Sequence, residues 1–161
     1  MKYRSTRGQA KNYSFEEAVM TGLAPDGGLF IPQAIPKLPD NWRQDWSQYT
    51  FQQLAASILS LYIDSSEIPR EDLETLINRS YSTFRSSDVT PLAKIKDGFH
   101  VLELFHGPTF AFKDVALQFV GNLFEYFLER RNRQEPAGGK THRLTVVGAT
   151  SGDTGRYEMY T

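Results

Sequence analysis

Residues from about 115 to 131 constrain the fold more than any other stretch, because Ala116, Phe119, Val120, Leu123, Phe124, Phe127 and Leu128 recur at helical spacing as one apolar stripe. A helix with so wide a stripe has to be covered by other chain elements. Before it, Leu92-Ala93-Lys94-Ile95 and Phe99-His100-Val101-Leu102-Glu103-Leu104 flank Asp97-Gly98, the pattern of a β-hairpin. After it, Leu144-Thr145-Val146-Val147 reads as the best strand in the chain. Strand, long helix, strand is the order that builds a parallel sheet, so the expected fold class is α/β.

The chemistry begins at the mouth of that helix. Lys113 ends the run Leu104-Phe105-His106-Gly107-Pro108-Thr109-Phe110-Ala111-Phe112-Lys113-Asp114. Most lysines are solvated surface charges, but three phenylalanines beside this one predict a setting with little water. Burial disfavours the charged form of an amine, and the positive end of a helix dipole pushes the same way. A neutral amine is what Schiff-base chemistry needs. His106 either hydrogen-bonds within a site or shapes the Gly107-Pro108 turn, and Asp114 is expected to cap the helix that follows.

The first half of the chain reads as helices and turns. Ser14-Phe15-Glu16-Glu17 and Thr50-Phe51-Gln52-Gln53 are capping-box patterns, which predict a short helix through about Met20 and a longer one over about 51 to 62. Pro69 at a first-turn position opens a further helix carrying Leu73, Leu76, Ile77 and Tyr81. Between them, Pro25-Asp26-Gly27-Gly28 forces a turn, Leu29-Phe30-Ile31 is a short strand candidate, and Pro32, Pro36 and Pro39 mark a stiff connection. These stripes predict core.

Composition removes several function classes. The formal net charge is -1, which offers no basic surface for nucleic acid or anionic membrane. With 0 cysteines there is no disulfide scaffold and no thiolate, and the 3 histidines, His100, His106 and His142, are not spaced as ligands, so no metal site is expected. No apolar window of about 18 residues is present, and the basic start runs into no apolar stretch, so the expected location is the cytoplasm.

A second chemical feature follows the last strand candidate. Gly148-Ala149-Thr150-Ser151-Gly152-Asp153-Thr154-Gly155 combines hydroxyls and glycines where α/β proteins place ligand loops, and such a turn suits a carboxylate or phosphate. It is neither a P-loop nor a Gly-x-Gly-x-x-Gly fingerprint, and a capped turn without a ligand is the bland alternative.

Taken together, these residues resemble the threonine synthases of the fungal type, which are fold-type II pyridoxal-phosphate enzymes. The match runs through Tyr3 to Gly8, Ser14 to Ala18, Ala24 to Pro32, Ser80 to Arg85, Leu102 to Asp114 and Gly148 to Gly155, and the string Glu103 to Asp114 is its most specific part. The resemblance implies that Lys113 is the catalytic lysine, holding pyridoxal 5'-phosphate as a Schiff base and later moving protons. It implies that Thr150, Ser151, Gly152, Asp153 and Thr154 embrace the substrate, O-phosphohomoserine, which the family converts with water to threonine and phosphate. It further implies a helical and hairpin threonine synthase N-terminal domain over 1–90, and over 91–161 the start of a parallel-sheet catalytic domain. After Gly155 the chain departs from the family pattern with Arg156-Tyr157-Glu158-Met159-Tyr160-Thr161, so these residues alone are expected to be inactive. A threonine-synthase-like phospho-lyase, or a truncated product or interaction module without catalysis, are the alternatives; the oligomeric state is left open.

Overall fold

A computed structural model describes residues 1–136, 138–145 and 147. The chain divides into two compact units, Met1–Thr75 and Leu76–Thr161, with the division falling inside one helix.

In the first unit, β1 (Tyr3–Ser5) pairs antiparallel with β2 (Phe30–Pro32), in the register Tyr3 with Pro32 and Ser5 with Phe30. β1 has no apolar alternation long enough to be read from sequence. Helix α1 (Phe15–Thr21) starts at the expected capping box, where the Glu17 amide donates to Ser14 Oγ at 3.1 Å and the Ser14 amide donates to Glu17 Oε2 at 2.7 Å. The turn before β2 is tied to β1 by one carboxylate. Asp26 accepts from Ser5 Oγ at 2.6 Å and from the amides of Gln9, Ala10 and Gly28. Gly28 is buried there, and a Cβ on it would overlap Ser5 Oγ.

A four-residue helix, α2 (Trp42–Asp45), lies in the stretch after the prolines. Helix α3 (Phe51–Tyr62) begins at the second capping box, with both reciprocal bonds formed by Thr50 and Gln53. Its apolar face of Phe51, Leu54, Ile58 and Leu61 is only partly covered: Ile58 is exposed and the other three are half-buried. Tyr3 donates through its hydroxyl to the Tyr62 carbonyl at 2.8 Å, which joins the end of α3 to β1.

Helix α4 (Arg70–Tyr81) follows Pro69, and Leu73, Leu76, Ile77 and Tyr81 are all buried, as their spacing predicts. In the second unit, β3 (Leu92–Lys96) and β4 (Phe99–Leu102) form the hairpin around Asp97-Gly98, with Gly98 at φ 72° and a register shift between Lys94 and Lys96. Helix α5 (Asp114–Gln134) is longer than its apolar stripe; Phe119, Leu123 and Phe127 are buried, and Ala116 is exposed. Asn122 Nδ2 bridges Ser80 Oγ of α4 and the Gln118 carbonyl of α5.

The two sheets are both two-stranded and antiparallel, so the parallel sheet expected from strand, helix, strand is not formed among the described residues. Leu144, Thr145 and Val147 are described and belong to no strand; Val146 lies outside the described residues. A strand exists only through a partner that completes its hydrogen bonds, and four β-prone residues do not specify one.

Candidate functional site

The lysine-bearing turn is built by residues from three places in the second unit. After α4, Val89 turns the chain with φ 59° and is buried, its amide donating to the Ser86 carbonyl. A β-branched residue in the left-handed region is strained, and burial of the isopropyl group is what offsets that cost. The segment between α4 and Val89 also places Arg85 against the turn. Its backbone amide donates to the His106 carbonyl at 2.8 Å, and its guanidinium donates to the Gly107 carbonyl. The same guanidinium lies over the Phe110 ring at 4.1 Å from the centroid, a cation–π contact of about 0.5–1 kcal/mol at an exposed position.

His106 is half-buried. Its Nε2 lies 2.6 Å from Glu103 Oε2, and the Phe105 ring stacks on the imidazole with centroids 4.6 Å apart. The His106 side chain thus joins Glu103, and its carbonyl accepts from the Arg85 amide.

Asp114 differs from expectation. Lys113, not Asp114, occupies the N-cap position of α5, and its side chain makes no cap hydrogen bond. The Asp114 carboxylate instead reaches back into the preceding turn, where it accepts from the Thr109 amide at 2.9 Å and from Thr109 Oγ1 at 2.8 Å. It is completely buried. Gly107 is buried against it, and a Cβ at that position would overlap Asp114. Phe110 sits between these partners with φ 62°, an unfavourable region for an aromatic residue.

Lys113 is half-buried, with helical φ -60° and ψ -24°, and its carbonyl accepts from the Ala116 and Leu117 amides. The aromatic shield predicted around it is not formed among the described residues: Phe105 is 50% exposed, Phe110 59% and Phe112 65%. An aromatic composition states a demand for cover without naming what supplies it. Thr150, Ser151, Gly152, Asp153 and Thr154 lie outside the described residues.

The sequence reading missed Arg85 and Thr109. Thr109 carried a signal, a hydroxyl just after Gly107-Pro108 and five residues before an acidic group. Arg85 carried no local signal, since the carbonyl its guanidinium reaches, that of Gly107, is 22 positions away. Among the described residues no cluster of three or more histidine, aspartate or glutamate side chains could hold a metal ion, and no helix is long and apolar enough to cross a membrane.

Comparison with known proteins places this geometry. The family described as threonine synthase N terminus matches residues 2–81. Threonine synthase of Schizosaccharomyces pombe is 59% identical over 99% of this chain and 31% of its own length. The crystal structure of threonine synthase from yeast matches with a TM-score of 0.91 at 58% identity, covering 99% of this chain and 32% of that one. The PLP-bound threonine synthase from Brucella melitensis matches with a TM-score of 0.77 at 40% identity, over 81% of this chain and 28% of that one. The chain thus spans about a third of the length of the relatives it matches.

Proposed function

The chain belongs to the threonine synthase family, and from that premise we propose that it carries the cofactor-anchoring lysine of a pyridoxal-phosphate-dependent lyase. The reaction is the conversion of O-phosphohomoserine and water to threonine and phosphate. The observation that carries this reading is the placement of Lys113, an amine at the start of α5 on a turn whose backbone is latched by Arg85 and Asp114.

The residues present fit one end of the cofactor, since an amine is the group that bonds an aldehyde carbon. Lys113 would hold pyridoxal phosphate, and when bound the cofactor supplies an electron sink for the carbanion that forms when a substrate proton is removed. Lys113 Nζ would also be the group that takes and returns protons at the reacting carbons. Phe105, Phe110 and Phe112 leave exposed apolar rings on the segment that precedes it. Thr150, Ser151, Gly152, Asp153 and Thr154 are proposed to hold the substrate carboxylate through hydroxyl and amide donors.

The domain reading goes with this one: an N-terminal threonine synthase domain over 1–90, and the beginning of the catalytic domain, of parallel-sheet type, over 91–161. A small-molecule substrate and a cytoplasmic setting belong to the same proposal, and the net charge of -1 offers no basic surface for nucleic acid. Because the chain spans 31% of a relative's length, turnover is assigned to a protein of the relatives' extent, and these 161 residues alone are expected to be inactive.

Borohydride reduction of the protein as its gene encodes it, loaded with pyridoxal phosphate and followed by peptide mapping, is expected to label Lys113. Label on another lysine overturns the assignment. In the same protein Lys113→Ala should lower phosphate release from O-phosphohomoserine by about a thousandfold or more, the scale on which losing a nucleophile and proton carrier acts. Release from other phosphorylated hydroxy amino acids in preference to O-phosphohomoserine would instead identify a threonine-synthase-like phospho-lyase.

A further inference from the structure

The turn before Lys113 holds more fixed contacts than a surface connection needs. Phe110 is kept at φ 62°, and strain of this kind persists only where surrounding contacts over-determine it. Two such sets of contacts are present. From within the turn, buried Asp114 accepts both the amide and the hydroxyl of Thr109. From outside it, Arg85 takes the Gly107 carbonyl with its guanidinium and covers the Phe110 ring with the same group.

Lys113 stands between these latches and the helix. On its carboxyl side the Ala116 and Leu117 amides fix its carbonyl as the first acceptor of α5. On its amino side the Asp114 amide closes onto the Ala111 carbonyl at 3.0 Å, while the Asp114 side chain anchors Thr109. The backbone of Lys113 is thus clamped on both sides, which sets the direction of its Cα–Cβ bond. Fixing that bond removes the backbone share of the freedom that would spread a long flexible amine over many positions, and leaves only its side-chain torsions to be ordered.

We propose that Arg85, Thr109 and Asp114 form a positioning clamp for Lys113, in which the strained Phe110 turn is held so that the lysine side chain leaves the backbone in one direction. The clamp deepens the reading of Lys113 as cofactor anchor and rests on it for its purpose, while its effect on the amine itself is measurable without cofactor. Asp114 and Arg85 act through Lys113; neither is assigned contact with substrate.

The test is competitive acetylation of lysines in the cofactor-free protein as its gene encodes it, with exposed Lys37 as internal reference. Thr109→Val keeps the shape of the side chain and removes one hydrogen bond to Asp114, whereas Thr109→Ser restores it. Arg85→Met removes the guanidinium contacts and keeps the backbone bond. Thr109→Val and Arg85→Met should each change the Lys113 rate, relative to Lys37, by roughly threefold or more, the scale on which losing one hydrogen bond shifts an equilibrium. Thr109→Ser should return it to wild type. Asp114→Asn is the direct variant, but a fold-wide loss would obscure it, so melting temperature is measured on every protein. An unchanged Lys113 rate in folded Thr109→Val and Arg85→Met overturns the clamp. The cofactor labelling experiment judges the anchor separately: label absent from Lys113 in wild type removes the anchor and leaves the acetylation ratios to decide the clamp.

Discussion

Asp26 and Asp114 each gather hydrogen-bond donors beside a glycine that has no room for a side chain, yet they do different work. Asp26 draws on Ser5, Gln9, Ala10 and Gly28, residues up to 21 positions away, and so ties β1 to the turn before β2. Asp114 accepts two bonds from Thr109, 5 positions away, and ties a turn to the helix it opens. Long reach makes a scaffold, because it closes a large loop of chain; short reach makes a local bracket, because it fixes the backbone of its own neighbours. The bracket is the one that has Lys113, the proposed anchor, as its immediate neighbour.

The sharpest way to break this comparison is to crowd each glycine. Gly28→Ala drives a methyl group into Ser5, and Gly107→Ala drives one into Asp114; each should cost about 2–3 kcal/mol as overpacking, seen in chemical or thermal unfolding. Gly107→Ala should also alter Lys113 acetylation, while Gly28→Ala leaves it at the wild-type ratio. Equal effects of both on Lys113 would erase the distinction between scaffold and bracket.

A smaller effect comes from acid. The Ser5 hydroxyl, with the amides of Gly28, Gln9 and Ala10, holds the Asp26 carboxyl below its ordinary range. A depressed carboxyl contributes stability that is present above its unfolded pKa, about 3.9, and lost as pH falls through the folded value. Melting temperature should therefore fall on acidification, and Asp26→Asn should lower it at neutral pH while flattening part of that fall. Part should remain, because Ser66 and the amino terminus hold Asp64 down to about 2. An acid response identical in wild type and Asp26→Asn would remove Asp26 from the scaffold.

The smallest effects are expected from two tyrosines, one in each unit. Tyr3 donates to the Tyr62 carbonyl and Tyr81 to the Val115 carbonyl, so Tyr3→Phe and Tyr81→Phe should each cost about 1 kcal/mol. Burial pushes both hydroxyls up to about 12, with Glu67 adding to the effect at Tyr3. The neutral form is thus favoured on folding, and its contribution is lost as pH rises from about 10, the unfolded value, towards the folded one. Difference spectra during alkaline titration should show both ionising late; early ionisation of Tyr81 would mean that its packing against α5 is loose.

Local chemistry made much of the fold legible. Ser14 with Glu17 and Thr50 with Gln53 predict helix starts because a capping box satisfies backbone amides within four residues. Asp97-Gly98 predicts the hairpin because glycine alone makes a positive φ easy there. Leu73, Leu76, Ile77 and Tyr81 predict a buried helix face by spacing alone. The strand expected at Leu144 to Val147 failed on its described residues, because pairing depends on a partner that no local pattern specifies. The same limit applies to Phe105, Phe110 and Phe112, whose exposure contradicts their composition.

At the site, the sequence by itself determined which groups are available: an amine at a helix entry, a Gly-Pro turn before it and a carboxylate after it. Only the tertiary structure decided how they are used. Asp114 turns away from its own helix amides towards Thr109, and Arg85 crosses 22 positions to reach Gly107, because each choice depends on where folded backbone places a partner. Side-chain chemistry is encoded residue by residue, whereas the direction in which a buried carboxylate or an arginine points is set by the nearest donor or acceptor that folding leaves within about 3 Å.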